Sequence, residues 1–103
     1  MERLSNMLDV KCEQKDNVKI YYLSGEVDTP RSRELSAQID TSGCDEIIFD
    51  LTNLKYITSA GLRVLMETNQ EMRGKGGRIT VQNVNSEVDQ IFDMVGFYIV
   101  IGD

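Results

Sequence analysis

The run Ile47-Ile48-Phe49 narrows the possible folds more than any other feature of this chain. Three consecutive apolar residues, two of them β-branched, leave no position to turn toward water, the pattern of a strand buried on both faces in a parallel sheet. Parallel strands cannot be joined by a tight turn, because each needs a crossover of a dozen or more residues, usually helical. The flanking segments must therefore alternate between strand and helix.

They do. Leu8, Val10 and Cys12 alternate with Asp9 and Lys11 as a half-buried strand, and Asp16-Asn17 supplies a turn before a second strand over Val18-Lys19-Ile20-Tyr21-Tyr22-Leu23, so the pair reads as an antiparallel hairpin. After Gly25-Glu26-Val27-Asp28, Thr29 offers an N-cap oxygen and Pro30 fits the first helical turn. The helix that follows has a thin apolar stripe, Leu35, Ala37 and Ile39, and closes at Ser42-Gly43. The central strand runs out through Asp50, Leu51 and Thr52 into an expected loop over Asn53-Leu54-Lys55-Tyr56-Ile57. A helix starts at Thr58-Ser59-Ala60-Gly61, with Leu62, Leu65, Met66, Asn69 and Met72 on its inner face. Gly74-Lys75-Gly76-Gly77 ends it. That segment lacks phosphate-loop spacing and follows a helix instead of opening one, so it reads as a helix end plus turn.

A strand over Arg78-Ile79-Thr80-Val81-Gln82 comes next, then a helix capped by Ser86 with Asp89 three residues on. Val88, Ile91, Phe92 and Val95 hold its apolar face, and Gly96 closes it. Phe97-Tyr98-Ile99-Val100-Ile101 reads as a last strand. The expected order is β-β-α-β-α-β-α-β, an α/β domain with a mixed sheet over residues 1–103. Right-handed crossovers bring the strand C-termini to one edge, where ligands of such sheets usually bind, and Asp28 and Ser59 both follow strands at that edge.

Composition removes whole classes of function. The 103 residues contain no histidine, so a histidine-dependent nucleophile relay, a His-ligated zinc and an imidazole switch are all excluded within the chain. Eleven basic against 17 acidic residues give a formal charge of −6, the wrong sign for nucleic acid or an anionic membrane. Cys12 and Cys44 are isolated and read as buried free thiols. No signal segment or membrane-length apolar run is present, so a cytoplasmic protein without metal or cofactor is expected.

Ser59 combines a hydroxyl, a helix N-terminus and the small neighbours Ala60 and Gly61. Such a terminus accommodates a phosphate, and Arg63, four residues on, can reach back toward one. On spacing alone, Ser59 or Thr58 reads first as a mere helix cap. Asp28 is open to two readings, one shaping a partner-facing patch beside Ser59 and the other merely starting a helix. A nucleophilic Asp28 has no histidine, metal cluster or paired acid to support it.

Four blocks in order, Gly25-Glu26-Val27-Asp28, Asp50 through Leu62, Gly76-Gly77 before a strand, and Ile91-Phe92-Asp93-Met94-Val95-Gly96-Phe97, resemble the STAS domain of bacterial anti-sigma factor antagonists (anti-anti-sigma factors). The resemblance spans nearly the whole chain. It implies a single STAS-type α/β domain with a mixed sheet and helices mainly on one face. It also implies a partner-switching protein instead of an enzyme, one that binds an anti-sigma factor of the serine protein kinase type and so frees a sigma factor for transcription. In that family, phosphorylation at the position of Ser59 breaks the complex and a PP2C-type phosphatase restores it. Ser59 is then the phosphoacceptor with Thr58 as second choice, and Asp28, Thr58, Ser59, Ala60, Gly61 and Arg63 form the partner-binding set.

Two departures stand out. Thr58 occupies a position that is frequently aspartate in the family, which adds a hydroxyl and removes a charge a kinase could read. Many relatives also continue into a C-terminal helix, whereas this chain stops at Asp103, so Phe97–Ile101 reads either as an apolar strand open to self-association or as one that the existing helices already cover. A STAS subunit acting as an unphosphorylated structural adaptor in a transport or sensory complex is the alternative function.

Overall fold

A computed structural model describes residues 8–102. The elements run β1 (Asp9–Lys15), β2 (Val18–Val27), α1 (Thr29–Gln38), β3 (Glu46–Ile57), α2 (Ser59–Gly74), β4 (Arg78–Gln82), α3 (Ser86–Met94) and α4 (Phe97–Ile101). The strands form one sheet in the order β1-β2-β3-β4, antiparallel between β1 and β2 and parallel across the other two pairs. β1 and β2 are a hairpin whose turn is Asp16-Asn17, with Asp16 in the left-handed region.

The apolar run does sit in the middle of this sheet. Ile47, Phe49 and Leu51 are fully buried beside Tyr21 and Leu23 of β2 and Ile79 of β4, on the face that the helices cover with Leu35, Leu65, Met72, Val88, Phe92 and Phe97. Each such side chain contributes about 1.5–3 kcal/mol by leaving water. The opposite face, with Val18, Ile20 and Ile48, is only half-buried. The helices therefore lie on one side.

Two expected elements differ. Residues 53–57 are not a loop but the second half of β3, paired with β2 as far as Val27↔Ile57. Register shifts between Tyr22 and Ser24 and between Gly25 and Glu26 break the two-residue alternation, so Leu51, Leu54 and Ile57 are buried at intervals of three. Phe97–Ile101 is a short helix, not a strand. Gly96, at φ 71°, both closes α3 and redirects the chain into α4, a left-handed conformation that glycine adopts without steric penalty. Phe97 and Ile101, one turn apart, are buried, while Ile99 and Val100 face outward. Asn69 Nδ2 and Arg73 Nη2 of α2 donate to the carbonyls of Val100 (3.3 Å) and Ile101 (2.7 Å), holding α4 down. Self-association by a C-terminal strand edge therefore has no strand to use.

Smaller corrections concern caps and a thiol. The cap of α1 is Asp28, not Thr29, and that of α3 is Asn85, not Ser86. The Asn85 amide performs two tasks that a hydroxyl performs less well, accepting from Val88 N (2.9 Å) while donating to Leu54 O (2.7 Å) across to β3. Cys44 is buried as expected, and burial pushes its thiol pKa up. Cys12 is exposed, because β1 is an edge strand whose residues are almost all open to solvent.

Asp50 is a buried carboxylate near the C-terminal end of the sheet, 7% exposed. It accepts from Thr52 N (3.0 Å) and Oγ1 (2.6 Å), Gln82 Nε2 (2.8 Å) and Asn83 Nδ2 (2.9 Å). Burial by itself raises its pKa, but these donors together outweigh it and hold the carboxyl below its ordinary value. A depressed folded-state pKa contributes stability above the unfolded value of about 3.9 that is lost as pH falls through the folded pKa. Asp50→Asn is expected to cost about 1–3 kcal/mol at neutral pH, since it turns an amide donor toward donors. It should also flatten the acid limb of stability in urea unfolding followed from about pH 5 downward. An unchanged acid limb would show that the carboxylate does not carry it.

Candidate functional site

The adjacent strands β2 and β3 end side by side at Val27 and Ile57, and each feeds a helix through one capping residue. Asp28 caps α1 and Thr58 caps α2, both with extended backbone. Two strand-to-helix junctions thus meet at one sheet edge.

The Asp28 carboxylate is fully engaged locally. Its Oδ1 accepts from Arg31 N (3.0 Å) and its Oδ2 pairs with Arg31 Nη1 at 2.9 Å. Of the two readings of Asp28, the geometry is that of a helix cap, and it makes no hydrogen bond to the Thr58–Ser59 segment. Thr58 is committed as well. Its N–H and Oγ1 both donate to Val27 O (2.9 and 3.0 Å), and Thr58 Oγ1 in turn accepts from Gly61 N at 3.4 Å.

Ser59 is different. As the first residue of α2 it is exposed, and its hydroxyl has no hydrogen bond among the described residues. It lies at the meeting of two hollows. One, of about 400 Å³, separates α1 from α2 and is lined by Ser32, Arg33, Ser36, Arg63 and Glu67 as well as Ser59. The other, about 260 Å³ and almost wholly apolar, lies on the adjoining face of α2 against Leu62, Met66 and Val95. Arg63 borders both.

The small neighbours play separate parts. Ala60 is half-buried on the wall of the first hollow, while Gly61 faces inward. A Cβ on Gly61 would fall 2.7 Å from both Ile57 Cγ1 and Val27 Cγ1, so its lack of a side chain lets the start of α2 seat against the strand ends. Gly61 therefore sets the height of Ser59 and is not itself at the surface.

Of the expected set, Ser59, Ala60 and Arg63 come together on one rim, Thr58 precedes them as the cap of α2, Gly61 is buried beneath, and Asp28 stands at the neighbouring junction. Residue spacing gave no sign of Arg33, Ser36 or Val95, which other helices bring to Ser59. Ser32 and Ser36 do share one face of α1 at i, i+4, a polar stripe where a core-facing helix would carry apolar residues. Met94, at the end of α3, is 80% exposed. Among the described residues no helix is long and apolar enough to cross a membrane, and no cluster of His, Cys, Asp and Glu is placed to hold a metal ion.

Comparison with known proteins bears on the family and the fold. The sequence pattern of the STAS domain matches residues 9–101. The anti-sigma F factor antagonist of Paenibacillus polymyxa is 33% identical over 95 residues, covering 88% of this chain and 81% of that protein. The unphosphorylated anti-sigma factor antagonist SpoIIAA superposes with a TM-score of 0.71 at 20% identity, over 84% of this chain and 83% of that one. The Bacillus cell fate determinant SpoIIAA in its phosphorylated form gives 0.69 at 20% identity, over 85% and 84%. At that identity the structural likeness concerns the fold.

Proposed function

This chain belongs to the STAS domain family, and from that premise we propose that it is an anti-sigma factor antagonist switched by phosphorylation of Ser59. Unphosphorylated, it binds an anti-sigma factor of the serine kinase type in the cytoplasm and frees a sigma factor. The kinase transfers the γ-phosphoryl group of ATP to Ser59 Oγ, the hydroxyl proton leaves and ADP is released. A PP2C-type phosphatase hydrolyses the ester and resets the switch. The chain is a substrate and a binding surface, and it catalyses nothing itself.

The observation that carries this reading is the contrast between two adjacent hydroxyls. Thr58 Oγ1 is held between Val27 O and Gly61 N, whereas Ser59 stands open on a rim of two hollows. A kinase needs a hydroxyl it can reach without unwinding a helix cap. The structural neighbour SpoIIAA is described in both unphosphorylated and phosphorylated forms, which supports control by phosphorylation on this fold.

The surface around Ser59 also suits reversible control. A phosphate adds about −1.5 to −2 charges in place of an uncharged hydroxyl, and local charge and bulk then act on the partner without refolding the domain. The test is displacement. Unphosphorylated protein added to a preformed complex of sigma factor and anti-sigma factor is expected to release free sigma factor on size exclusion, and the phosphorylated protein is not. Equal release by both forms, or by neither, would overturn the reading.

A further inference from the structure

The hollow between α1 and α2 is positively charged in a chain that is acidic overall. Arg33 and Arg63 face it against the single carboxylate of Glu67, while the chain as a whole carries −6. Neither guanidinium has an ion pair or hydrogen bond among the described residues, although Arg31 on the same helix is held by Asp28. Arg63 lies four residues after Ser59, so the two share a helix face. Arg33 approaches from the opposite wall on α1. Two unpaired forks on facing helices, lining one hollow with a modifiable hydroxyl, are the parts of a phosphate clamp.

We propose that Arg33 and Arg63 receive the phosphate of phosphorylated Ser59, laying it into the α1–α2 hollow. The inference rests on Ser59 being the phosphorylated residue, and it adds what the phosphate does once attached. The modified side chain becomes a bridge between two helices, so phosphorylation fills and neutralises a hollow that the unmodified protein leaves open to a partner. Glu67 opposes the bridge from the far end of the cavity. One carboxylate against two guanidinium groups leaves the balance attractive.

A phosphate beside two cations keeps its second proton less tightly, so its second pKa falls below the ordinary value of about 6. The full chain is made with phosphoserine encoded directly at position 59, which removes any dependence on a kinase, and its phosphorus NMR signal is titrated with pH. The folded protein is expected to titrate about one pH unit below the same protein in denaturant, allowing for the openness of the cavity. Arg33→Gln and Arg63→Gln should each recover part of that shift and the double variant nearly all of it, with added salt weakening the parent's shift.

A folded parent that titrates with the denatured chain would overturn the clamp. So would a double variant that keeps the full depression, because the shift would then come from the helix terminus instead of the arginines. Both arginines are exposed, so their replacement leaves the core intact. Sigma-factor release by both phosphorylated and unphosphorylated protein would sink the proposed function and leave the clamp standing, so the two failures can be told apart.

Discussion

Ser59→Asp is expected to weaken binding to the anti-sigma factor by about 100-fold or more in calorimetric titration, while Ser59→Ala binds like the parent. Ser59 is exposed at the junction of the two hollows, and any partner seated there removes water from it. Taking an anion out of water at an interface costs several kcal/mol, which the exposed Arg33 and Arg63 offset only in part, and each 1.4 kcal/mol is about tenfold in affinity. Aspartate is shorter than phosphoserine and carries one charge where phosphate carries nearly two, so it sets the lower bound of the effect. Alanine adds neither charge nor bulk and loses no hydrogen bond that the hydroxyl makes among the described residues. Parent-like affinity for Ser59→Asp would remove charge as the basis of switching.

The second large effect concerns the C-terminal part of the core. Phe92 is fully buried, with its ring 4.4 Å from that of Phe97 and 5.8 Å from that of Tyr98, centre to centre. Phe92→Ala is expected to cost about 3–5 kcal/mol, a large share of the roughly 5–15 kcal/mol that holds a small domain. At about 4–8 °C per kcal/mol, the midpoint should fall by more than about 10 °C in a thermal melt.

Ile99→Ala supplies the contrast. In a strand, Ile99 would share a face with Phe97 and Ile101 and its truncation would cost about 2–5 kcal/mol. In α4 it is 83% exposed, and the expected change is within about 0.5 kcal/mol. Equal losses for Phe92→Ala and Ile99→Ala would contradict the helix.

Much of this architecture is legible in the residues. The Ile47-Ile48-Phe49 run announces the central parallel strand, and the glycines and caps mark nearly every junction. The failures have physical causes. Leu54 and Ile57 read as loop because extra residues in β3, bulged against β2, convert a two-residue repeat into a three-residue one. Phe97–Ile101 is five apolar residues, too short for periodicity to separate strand from helix. The contacts that decide it, from Asn69 and Arg73, come from far along the chain.

The site divides the same way. Ser59, Thr58, Gly61 and Arg63 are contiguous in sequence and could be read together, including the suggestion that small neighbours leave the serine open. What separates Ser59 from Thr58 is a hydrogen bond to Val27 O, a strand away, and no local pattern contains it. Arg33 arrives at the site only because α1 packs on α2.

The central claim is that one hydroxyl of this chain is the switch, and locating the phosphate tests it most directly. The full chain is incubated with its anti-sigma factor kinase and ATP, and the modified peptide is sequenced by mass spectrometry. A single phosphate on Ser59, absent from Ser59→Ala and removed by a PP2C-type phosphatase, is the result the geometry predicts. A phosphate on Thr58 or any other residue, or unabated modification of Ser59→Ala, would contradict it.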